Sequence, residues 1–340
     1  MKHDENIFHG SYRLCEKGSA IGLIKVGGQV LRELLNSNED LEINCLVRSA
    51  EKAKKLPKDV KTVIGSNGDK SLMRNASSQA DIVMHFSGSS DDEQGPPCIA
   101  EGLSQNGGWY IHTSGTDILT EKVKGDMSNG TIYDDQKDID KLHNLPDSQP
   151  HRTVEKYVFG IEEKHPNVRT VIVCPPTIHG VSNGYDKSIT DQIPRLIRGY
   201  RGTGKICVPG SGKDTRSYVH VADVARFYLL LVRSIIRHST EVLHGYRGYY
   251  FLESGEFTTK EICTKLGKVL EQKGVVKYGS PIDFSRSDMD DLERESGGSY
   301  WLTASSRARA TNARALGWTP KEGDVYSTLP EEIDAILKGA

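Results

Sequence analysis

The sequence lacks the long apolar segments that mark membrane and secreted proteins. Its most apolar stretch, residues 227–232, is bounded by arginines and is far shorter than the roughly 20 apolar residues of a membrane span. Residues 1–6 are mostly charged or polar, without the apolar segment of a secretory signal. These absences predict a cytoplasmic protein with no membrane partner.

The sequence also lacks an excess of charge and any cysteine motif. Its 44 Lys and Arg residues face 46 Asp and Glu residues, a formal net charge of −2, so a nucleic-acid partner is not expected. The six cysteines lie far apart and form no C-x-x-C pair, which predicts reduced structural thiols rather than disulfides or a metal site. Charge therefore does not identify the ligand.

Short apolar runs rich in β-branched residues alternate with helical patterns in the first half of the chain. The runs are typical of strands buried on both faces; they cover residues 43–47, 60–64, 81–86, 109–113 and 168–174. Between them, apolar residues recur at three- and four-residue spacing, which predicts helices. The alternation predicts an α/β fold, a doubly wound parallel sheet with helices on both faces.

The second half of the chain is less regular. Glycine and proline cluster after residue 174, which indicates loops. A helix is predicted to begin near Asp223 as its N-cap, a strand covers residues 249–252, and Thr258 with Glu261 forms a capping-box pattern at the start of another helix. The charged residues 283–299 are predicted to form a surface loop.

A glycine-rich segment precedes the first predicted helix. In such a sheet, the turn after the first strand lets the backbone approach a pyrophosphate at the helix N-terminus. The candidate turn runs from residue 18 to residue 28, after a first strand at residues 12–15, and it is not a regular G-x-G-x-x-G. Its candidate cofactor contacts are Gly18, Ala20, Gly22, Ile24 and Gly28. A turn that serves helix packing alone is the alternative.

Arg48 follows the second predicted strand, twenty positions after Gly28. At this place an acidic side chain would bind the ribose hydroxyl of NAD, whereas an arginine would accept the 2′-phosphate of NADP. NADP is therefore the predicted cofactor, with NAD as the alternative. A solvated arginine at a strand end is the other interpretation.

Four segments carry a resemblance to a known family. They are WYIHTSGT at 109–116, HRTVEK at 151–156, VIVCPPTIHG at 171–180 and RSYVHVADVA at 216–225, and their order and spacing hold down to LGWTP at 316–320. The chain resembles the extended short-chain dehydrogenase/reductases, and within them the atypical NAD(P)-dependent epimerase/dehydratase-like branch. The resemblance implies a Rossmann-type sheet that binds NAD(P).

The resemblance also implies roles for particular residues. Ser114 matches the family's hydroxyl that hydrogen-bonds the substrate oxygen, and it is predicted to be both catalytic and substrate-binding. Lys156 matches the lysine of Tyr-x-x-x-Lys, which binds the nicotinamide ribose. Pro175 begins the segment that borders the nicotinamide, and Arg216 matches a position that often meets an anionic substrate group. A hydride-transfer site needs such a hydroxyl, a cation near the ribose and a proton donor.

The proton donor is the part of the motif that the sequence does not supply. Arg152 occupies the tyrosine position, and a guanidinium does not exchange protons near neutral pH. Replacing Arg152 by tyrosine would restore the motif. The alternative proton carriers are His85, His112, His151, Tyr157 and His179. We take His179 as the catalytic residue beside Ser114 and Lys156.

The predicted function is that of an NADP-preferring oxidoreductase or epimerase of a small carbonyl or hydroxyl compound. Residues 1–180 would form the dinucleotide-binding Rossmann domain, to which residues 216–253 return. Residues 181–215 and 254–340 would form a smaller, mainly C-terminal substrate lobe. Two alternatives stay open: a non-redox NADP-binding regulator or interaction protein, and an isomerase or dehydratase that uses the same pocket. Relatives often pair, so a homodimer is a further expectation.

Overall fold

The structure is a computed structural model that describes residues 19–22, 26–121, 130–185, 189, 191–208, 210–282, 286–296 and 304–338. The strands are β1 Ser19–Gly22, β2 Ile43–Val47, β3 Lys61–Ile64, β4 Ile82–His85, β5 Gly108–Thr113, β6 Ile132–Asp134, β7 Val168–Cys174, β8 Thr177–His179, β9 Thr215–His220, β10 Tyr249–Phe251, β11 Gly255–Thr258 and β12 Arg307–Arg309. The helices are α1 Val26–Leu35, α2 Ala50–Ala53, α3 Lys70–Ser78, α4 Gly95–Leu103, α5 Ile139–His143, α6 Arg152–Phe159, α7 Ile161–Lys164, α8 Gln192–Thr203, α9 Val221–Ile236, α10 Thr259–Gln272, α11 Arg286–Ser296, α12 Thr311–Ala315 and α13 Val325–Leu337. Single 3₁₀ turns lie at Ser89–Asp91, Thr116–Leu119 and Gly245–Arg247.

A parallel sheet forms the centre of the molecule. Seven of the described strands build it in the order β3-β2-β1-β4-β5-β7-β10. The strand order reverses at β1, so right-handed crossovers place helices on both faces of the sheet. The predicted Rossmann-type α/β fold is therefore confirmed. Each of the five apolar runs found in the sequence overlaps a strand of this sheet.

The first strand differs from the sequence prediction. Residues 19–22, which we expected inside a phosphate-binding turn, are the central strand β1, where Ile21 lies opposite Cys45 of β2 and Met84 of β4. Ala20 and Gly22 therefore belong to a strand. Gly28 lies in the first turn of α1. The predicted contacts Gly18 and Ile24, the predicted strand at residues 12–15 and the connection at 23–25 lie outside the described residues.

The apolar side chains form two clusters. The larger cluster fills the faces of the main sheet and includes Leu31 of α1, Phe227 of α9 and Trp318 near the C-terminus. The smaller cluster joins α8, α10, α11 and α13 through residues such as Leu196 and Leu266. The smaller cluster lies mostly in residues predicted as the substrate lobe, whereas residues 308–318 pack with the sheet.

The charged stretch at 283–299 contains a helix, so the prediction of a surface loop was wrong. Helix α11 packs against α8, and its Leu292 is fully buried in the smaller cluster. Asp288 pairs with Lys205 at 2.7 Å. A single buried leucine among charged residues gives no clear helical period, and its partner α8 lies far away in sequence.

Asp223 ties the C-terminal segment to α9. Its fully buried carboxylate accepts hydrogen bonds from the backbone N–H groups of Lys321 and Glu322, at 2.7 and 3.1 Å, and pairs with Arg226. We expected Asp223 to be the N-cap of α9. The cap is instead His220, whose Nδ1 accepts a hydrogen bond from the backbone N–H of Ala222, and Asp223 lies in the first turn. The predicted capping box of α10 is confirmed.

The described cysteines Cys45, Cys98, Cys174, Cys207 and Cys263 are buried free thiols. In the described part of the chain, no helix is long and apolar enough to cross a bilayer.

Glu332 of α13 is a buried carboxyl group whose ionisation opposes folding. Its Oε1 accepts hydrogen bonds from the N–H of Gly180 and the hydroxyl of Thr328, both at 2.9 Å. Burial nevertheless raises the pKa of Glu332 to about 7. Because the pKa is higher in the folded chain than in the unfolded chain, the stabilisation is complete below about pH 4 and is lost as the pH rises towards 7.

We expect Glu332→Gln to remove this pH dependence, because glutamine stays neutral and keeps an oxygen acceptor. Relative to wild type, its free energy of unfolding should be similar at pH 4.5 and higher by about 3 kcal/mol at pH 8. Urea denaturation at the two pH values measures the difference. The exposed neighbour Glu331 provides the control variant, Glu331→Gln. A stability difference that is the same at both pH values would contradict the raised pKa.

Candidate functional site

A cavity of about 210 Å³ opens where strands β5 and β7 of the main sheet end. Its described lining residues are Val26, Ser114, Gly115, Thr116, Asp117, His151, Pro175, Pro176, Ile178, Ser182, Ile189, Asp191, Gln192 and Val221. Parallel strands have their carboxyl ends at one edge of a sheet, and doubly wound sheets bind ligands at that edge. This cavity is therefore the candidate active site.

Ser114 lies at the inner end of the cavity, directly after β5. Its backbone N–H donates to the carbonyl of Val173 at 2.8 Å, which fixes the residue against β7. The side chain is only 6% exposed, and its hydroxyl makes no hydrogen bond of normal geometry within the described residues. A buried hydroxyl in this state is ready to bind a ligand atom. Pro175 and Pro176 face it from the end of β7, as the sequence predicted for Ser114 and Pro175.

His151 brings an imidazole to the same cavity. Its Nδ1 lies 2.7 Å from Oδ1 of Asp91. A Cβ atom placed on Gly115 would lie 3.5 Å from its Nε2, so Nε2 faces the residue next to Ser114. His151 is the N-cap of α6 and has a left-handed backbone, with φ of 64°. That conformation costs a non-glycine residue about 1 kcal/mol, and such strain is typical of functional sites.

Glu155 lies one turn after His151 on α6 and is fully buried. Its Oε1 accepts a hydrogen bond from the Tyr249 hydroxyl at 2.9 Å. Burial raises the pKa of Glu155 to about 7, although hydrogen bonding to Ser114 and Tyr249 and the charge of His151 oppose the rise. A buried carboxyl group thus lies beside Ser114, on the side away from the cavity.

The structure does not bring Arg152 and Lys156 to the cavity, contrary to the predicted alignment with Tyr-x-x-x-Lys. The Arg152 guanidinium is buried and donates to the backbone carbonyls of Leu145 and His143. The Lys156 ammonium is 59% exposed and pairs with Asp147 at 2.9 Å. The residue at the start of α6 that lines the cavity is His151, one position before Arg152. Each step along a helix turns the side chain by about 100°, so neighbouring residues point in different directions. A tyrosine at position 152 would therefore replace a structural cation.

His179, our predicted catalytic residue, lies outside the cavity lining. It is fully buried, and its Nδ1 lies 2.9 Å from Oγ1 of Thr328. Burial lowers the pKa of His179 to about 3, so its imidazole is neutral near pH 7. The neighbouring Ile178 lines the cavity in its place, because successive strand residues point to opposite sides.

Arg216, predicted to meet an anionic substrate, is also held away from the cavity. Its guanidinium is buried, pairs with Asp117 and donates to the carbonyl of Ala304 at 3.1 Å. Asp117 itself lines the cavity. Arg216 therefore fixes the position of Asp117 without lining the described cavity itself.

The other proton carriers considered from the sequence lie outside the described cavity wall. His85 and His112 both contact the Tyr110 hydroxyl, at 3.2 and 3.1 Å, in a buried chain on β4 and β5. Tyr157 packs against Lys164 on the outer part of α6. Among the five alternatives, His151 is the one that the structure places in the described cavity wall.

The described residues fit the nicotinamide end of a dinucleotide. The buried Ser114 hydroxyl and the Pro175–Pro176 turn meet at the sheet edge. Arg48 is exposed directly after β2, where a coenzyme 2′-phosphate would lie. Gly28 serves the packing of a loop instead of a phosphate, since a Cβ atom there would lie 1.8 Å from the carbonyl oxygen of Tyr185.

Comparison with known proteins agrees with this geometry. The model of the NAD dependent epimerase/dehydratase family matches residues 130–242. The chain is 26% identical over 333 residues to oxidase ucsJ of Acremonium sp., which covers 92% of this chain and 94% of that protein.

Two solved structures share the whole architecture. The UDP-glucose 4-epimerase of Thermotoga maritima, solved with UDP-glucose, is 17% identical, has a TM-score of 0.62, and covers 94% of this chain and 99% of its own. The dTDP-glucose 4,6-dehydratase of Streptomyces venezuelae, solved with NAD and TYD, is 15% identical and has a TM-score of 0.64. The match covers 94% of this chain and 97% of the dehydratase.

The family match over residues 130–242 and the fold shared with these structures support the family resemblance predicted from the sequence. At the position of α6 nearest the cavity, the structure places His151 in the cavity wall, and Glu155, four residues later, lies buried behind that wall.

Proposed function

We propose that this protein is an NADP-preferring oxidoreductase or epimerase that acts on a small hydroxyl or carbonyl compound. The cavity carries the proposal, because a buried hydroxyl, an imidazole and a proline turn converge at the ligand-binding edge of a Rossmann-type sheet. Ser114 would hold the substrate oxygen, and Pro175 would border the nicotinamide. Arg48 would bind the 2′-phosphate. The coenzyme would exchange a hydride with the substrate carbon.

The cavity wall favours a small substrate without negative charge. Its described lining contains no Lys or Arg, and its charged groups are Asp117, Asp191 and, when protonated, His151. The buried cation that contacts this wall, Arg216, is paired with Asp117. A volume of about 210 Å³ is also below the roughly 300 to 1,000 Å³ of sites for drug-sized ligands. An anionic sugar nucleotide is a poor match to these walls.

Coenzyme binding and turnover test the proposal directly. Calorimetry should show binding of NADP, and the absorbance of reduced nicotinamide should change when a panel of small ketones, aldehydes and secondary alcohols is added. If an epimerase activity dominates, product analysis should show inversion with no net change in absorbance. Absence of heat for both NADP and NAD, together with no conversion in the panel, would refute the proposal.

Arg48 should decide the choice between the two coenzymes. We expect Arg48→Ser to raise the Kd of NADP about 10- to 100-fold, because a charge-assisted arginine–phosphate interaction is worth roughly 1.5–3 kcal/mol. The Kd of NAD should stay nearly constant. Lys55→Ser, at another exposed cation nearby, controls for the general positive potential. An equal increase in the Kd of NADP and of NAD would argue against a contact between Arg48 and the 2′-phosphate.

A further inference from the structure

We propose that His151 is the proton carrier of this site and that Asp91 is its positioning residue. The proposal rests on the proposed function and goes beyond it, because it assigns the proton transfer to a histidine–aspartate pair. In the superfamily motif that the sequence resembles, a tyrosine with a lysine four residues later takes this role. Here the titratable residue at the N-terminus of α6 that lines the cavity is His151, and Glu155, four residues later, is buried behind the wall.

The contact with Asp91 sets the tautomer of the imidazole. An ionised carboxylate can only accept a hydrogen bond, so Nδ1 of His151 donates across the 2.7 Å contact. A neutral ring that carries its hydrogen on Nδ1 has its lone pair on Nε2. Nε2 faces Gly115, the residue after Ser114, and both residues line the cavity. A substrate oxygen held by Ser114 would lose or gain its proton at this nitrogen.

Both members of the pair are attached to the edge of the sheet. Asp91 ends the 3₁₀ turn Ser89–Asp91, and the hydroxyl of Ser89 donates to the carbonyl of Thr113 at the end of β5. His151 precedes Arg152, whose guanidinium is anchored to the backbone of residues 143 and 145. The histidine and the aspartate are thus fixed relative to Ser114 by short connections.

Asp91 also connects the pair to solvent. Its side chain is 71% exposed, whereas that of His151 is 15% exposed. The other titratable groups around His151 are His112 on β5, Glu155 on α6, and Asp117 and Asp191 in the cavity wall. Glu155 is buried behind the wall and bonded to Tyr249, so it does not replace His151 as the group that meets the substrate.

The proton and the electrons balance in either direction. In oxidation, the O–H bond of the substrate breaks and its proton passes to Nε2 of His151, while a C=O bond forms and the hydride leaves the substrate carbon for an oxidised nicotinamide coenzyme. Loss of the same proton from the imidazole to water at the cavity mouth restores the base. In reduction, the protonated Nε2 would give its proton to the substrate oxygen, and a bound reduced nicotinamide coenzyme would supply the hydride to the carbon.

A first experiment needs neither coenzyme nor substrate. Imidazole ¹⁵N shifts of the full chain, assigned by comparison with His151→Asn, should show neutral His151 with its hydrogen on Nδ1. In Asp91→Asn this preference should be lost, because an amide can donate to Nδ1 as well as accept from it. A hydrogen on Nε2 in the wild-type chain would overturn the proposal.

A second experiment measures the effect on turnover. We expect His151→Asn to lower kcat by about 10²- to 10⁴-fold, the range of general acid–base catalysis, with little change in the Kd of NADP. Asparagine is chosen because it tolerates a left-handed backbone. Added imidazole should restore part of the lost rate. Asp91→Asn should lower kcat about 10- to 100-fold without raising KM, as expected when a partner that orients a histidine is lost.

Two further variants separate the possible causes of failure. His165→Asn, at a histidine outside the described cavity wall, should retain wild-type kcat, and so should Lys156→Ala, whose ammonium pairs with Asp147 on the surface. If wild type turns over substrate and His151→Asn does so equally well, the assignment of His151 is wrong and the proposed function stands. If wild type neither binds a coenzyme nor converts a substrate, the proposed function itself is refuted, whatever the behaviour of the His151 variant.

Discussion

Replacing Ser114 by alanine should lower kcat/KM about 10²- to 10³-fold for whichever substrate the carbonyl and alcohol panel identifies. The magnitude is that found when one preorganised donor to a reacting oxygen is removed. The hydroxyl is buried at the inner end of the cavity, and it has no hydrogen bond of normal geometry to the described residues. It can therefore bind the reacting oxygen without first breaking a strong bond to the protein.

Steady-state kinetics and coenzyme calorimetry together test this role. The Kd of NADP should change by less than about 3-fold, since the loss of one donor at the reacting oxygen affects the transition state more than the bound coenzyme. Ser104→Ala is a matched control, because the hydroxyl of Ser104 bonds the carbonyl of Glu101 on the surface of α4. Full activity in Ser114→Ala would show that the cavity is not the catalytic site.

Replacing Asp223 by alanine should lower the free energy of unfolding by about 3–5 kcal/mol, the usual cost of breaking a buried ion pair. The carboxylate is fully buried and satisfies the N–H groups of Lys321 and Glu322 as well as the Arg226 guanidinium. Alanine would leave the two N–H groups without their acceptor, whereas Arg226 would keep its pair with Glu322. The segment that carries Trp318 would also lose two of its polar contacts with α9.

Urea denaturation with far-UV circular dichroism measures the effect on stability. Asp324→Ala is the control. Asp324 is the exposed N-cap of α13 and accepts a hydrogen bond from the N–H of Ser327. Its replacement should lower the free energy of unfolding by only about 1 kcal/mol. A loss below about 1.5 kcal/mol for Asp223→Ala would show that water or another side chain satisfies the two N–H groups.

The main sheet could be predicted from the sequence because its strands are buried on both faces. Such strands appear as continuous apolar runs, for example β7 with Val171, Ile172 and Val173. Strand β1 has only four residues, and two of them, Ser19 and Gly22, are not apolar. Its flanking glycines made the segment resemble a turn. Pairing with β2 and β4 on both sides, which no local pattern reveals, makes it a strand.

The site could be predicted where its residues directly follow strands. Ser114 and Pro175 come immediately after β5 and β7, so their place at the sheet edge follows from the topology. Residues on α6 are harder to place, since an error of one position turns a side chain by about 100°. The match to the family lysine singled out Lys156, which the structure places outside the described cavity wall and pairs with Asp147. Asp91 is 60 positions from His151, and nothing in the local sequence links the two.

The cavity is walled by parts of two separately packed units. Ser114 and His151 lie at the edge of the sheet that the larger apolar cluster supports, whereas Gln192 begins α8, whose Ile193 and Leu196 belong to the smaller cluster. Substitutions in the smaller cluster can therefore move the wall formed by α8 and change the cavity volume while Ser114 and His151 keep their positions. In such an architecture, substrate specificity can change during evolution without a change in the reacting residues.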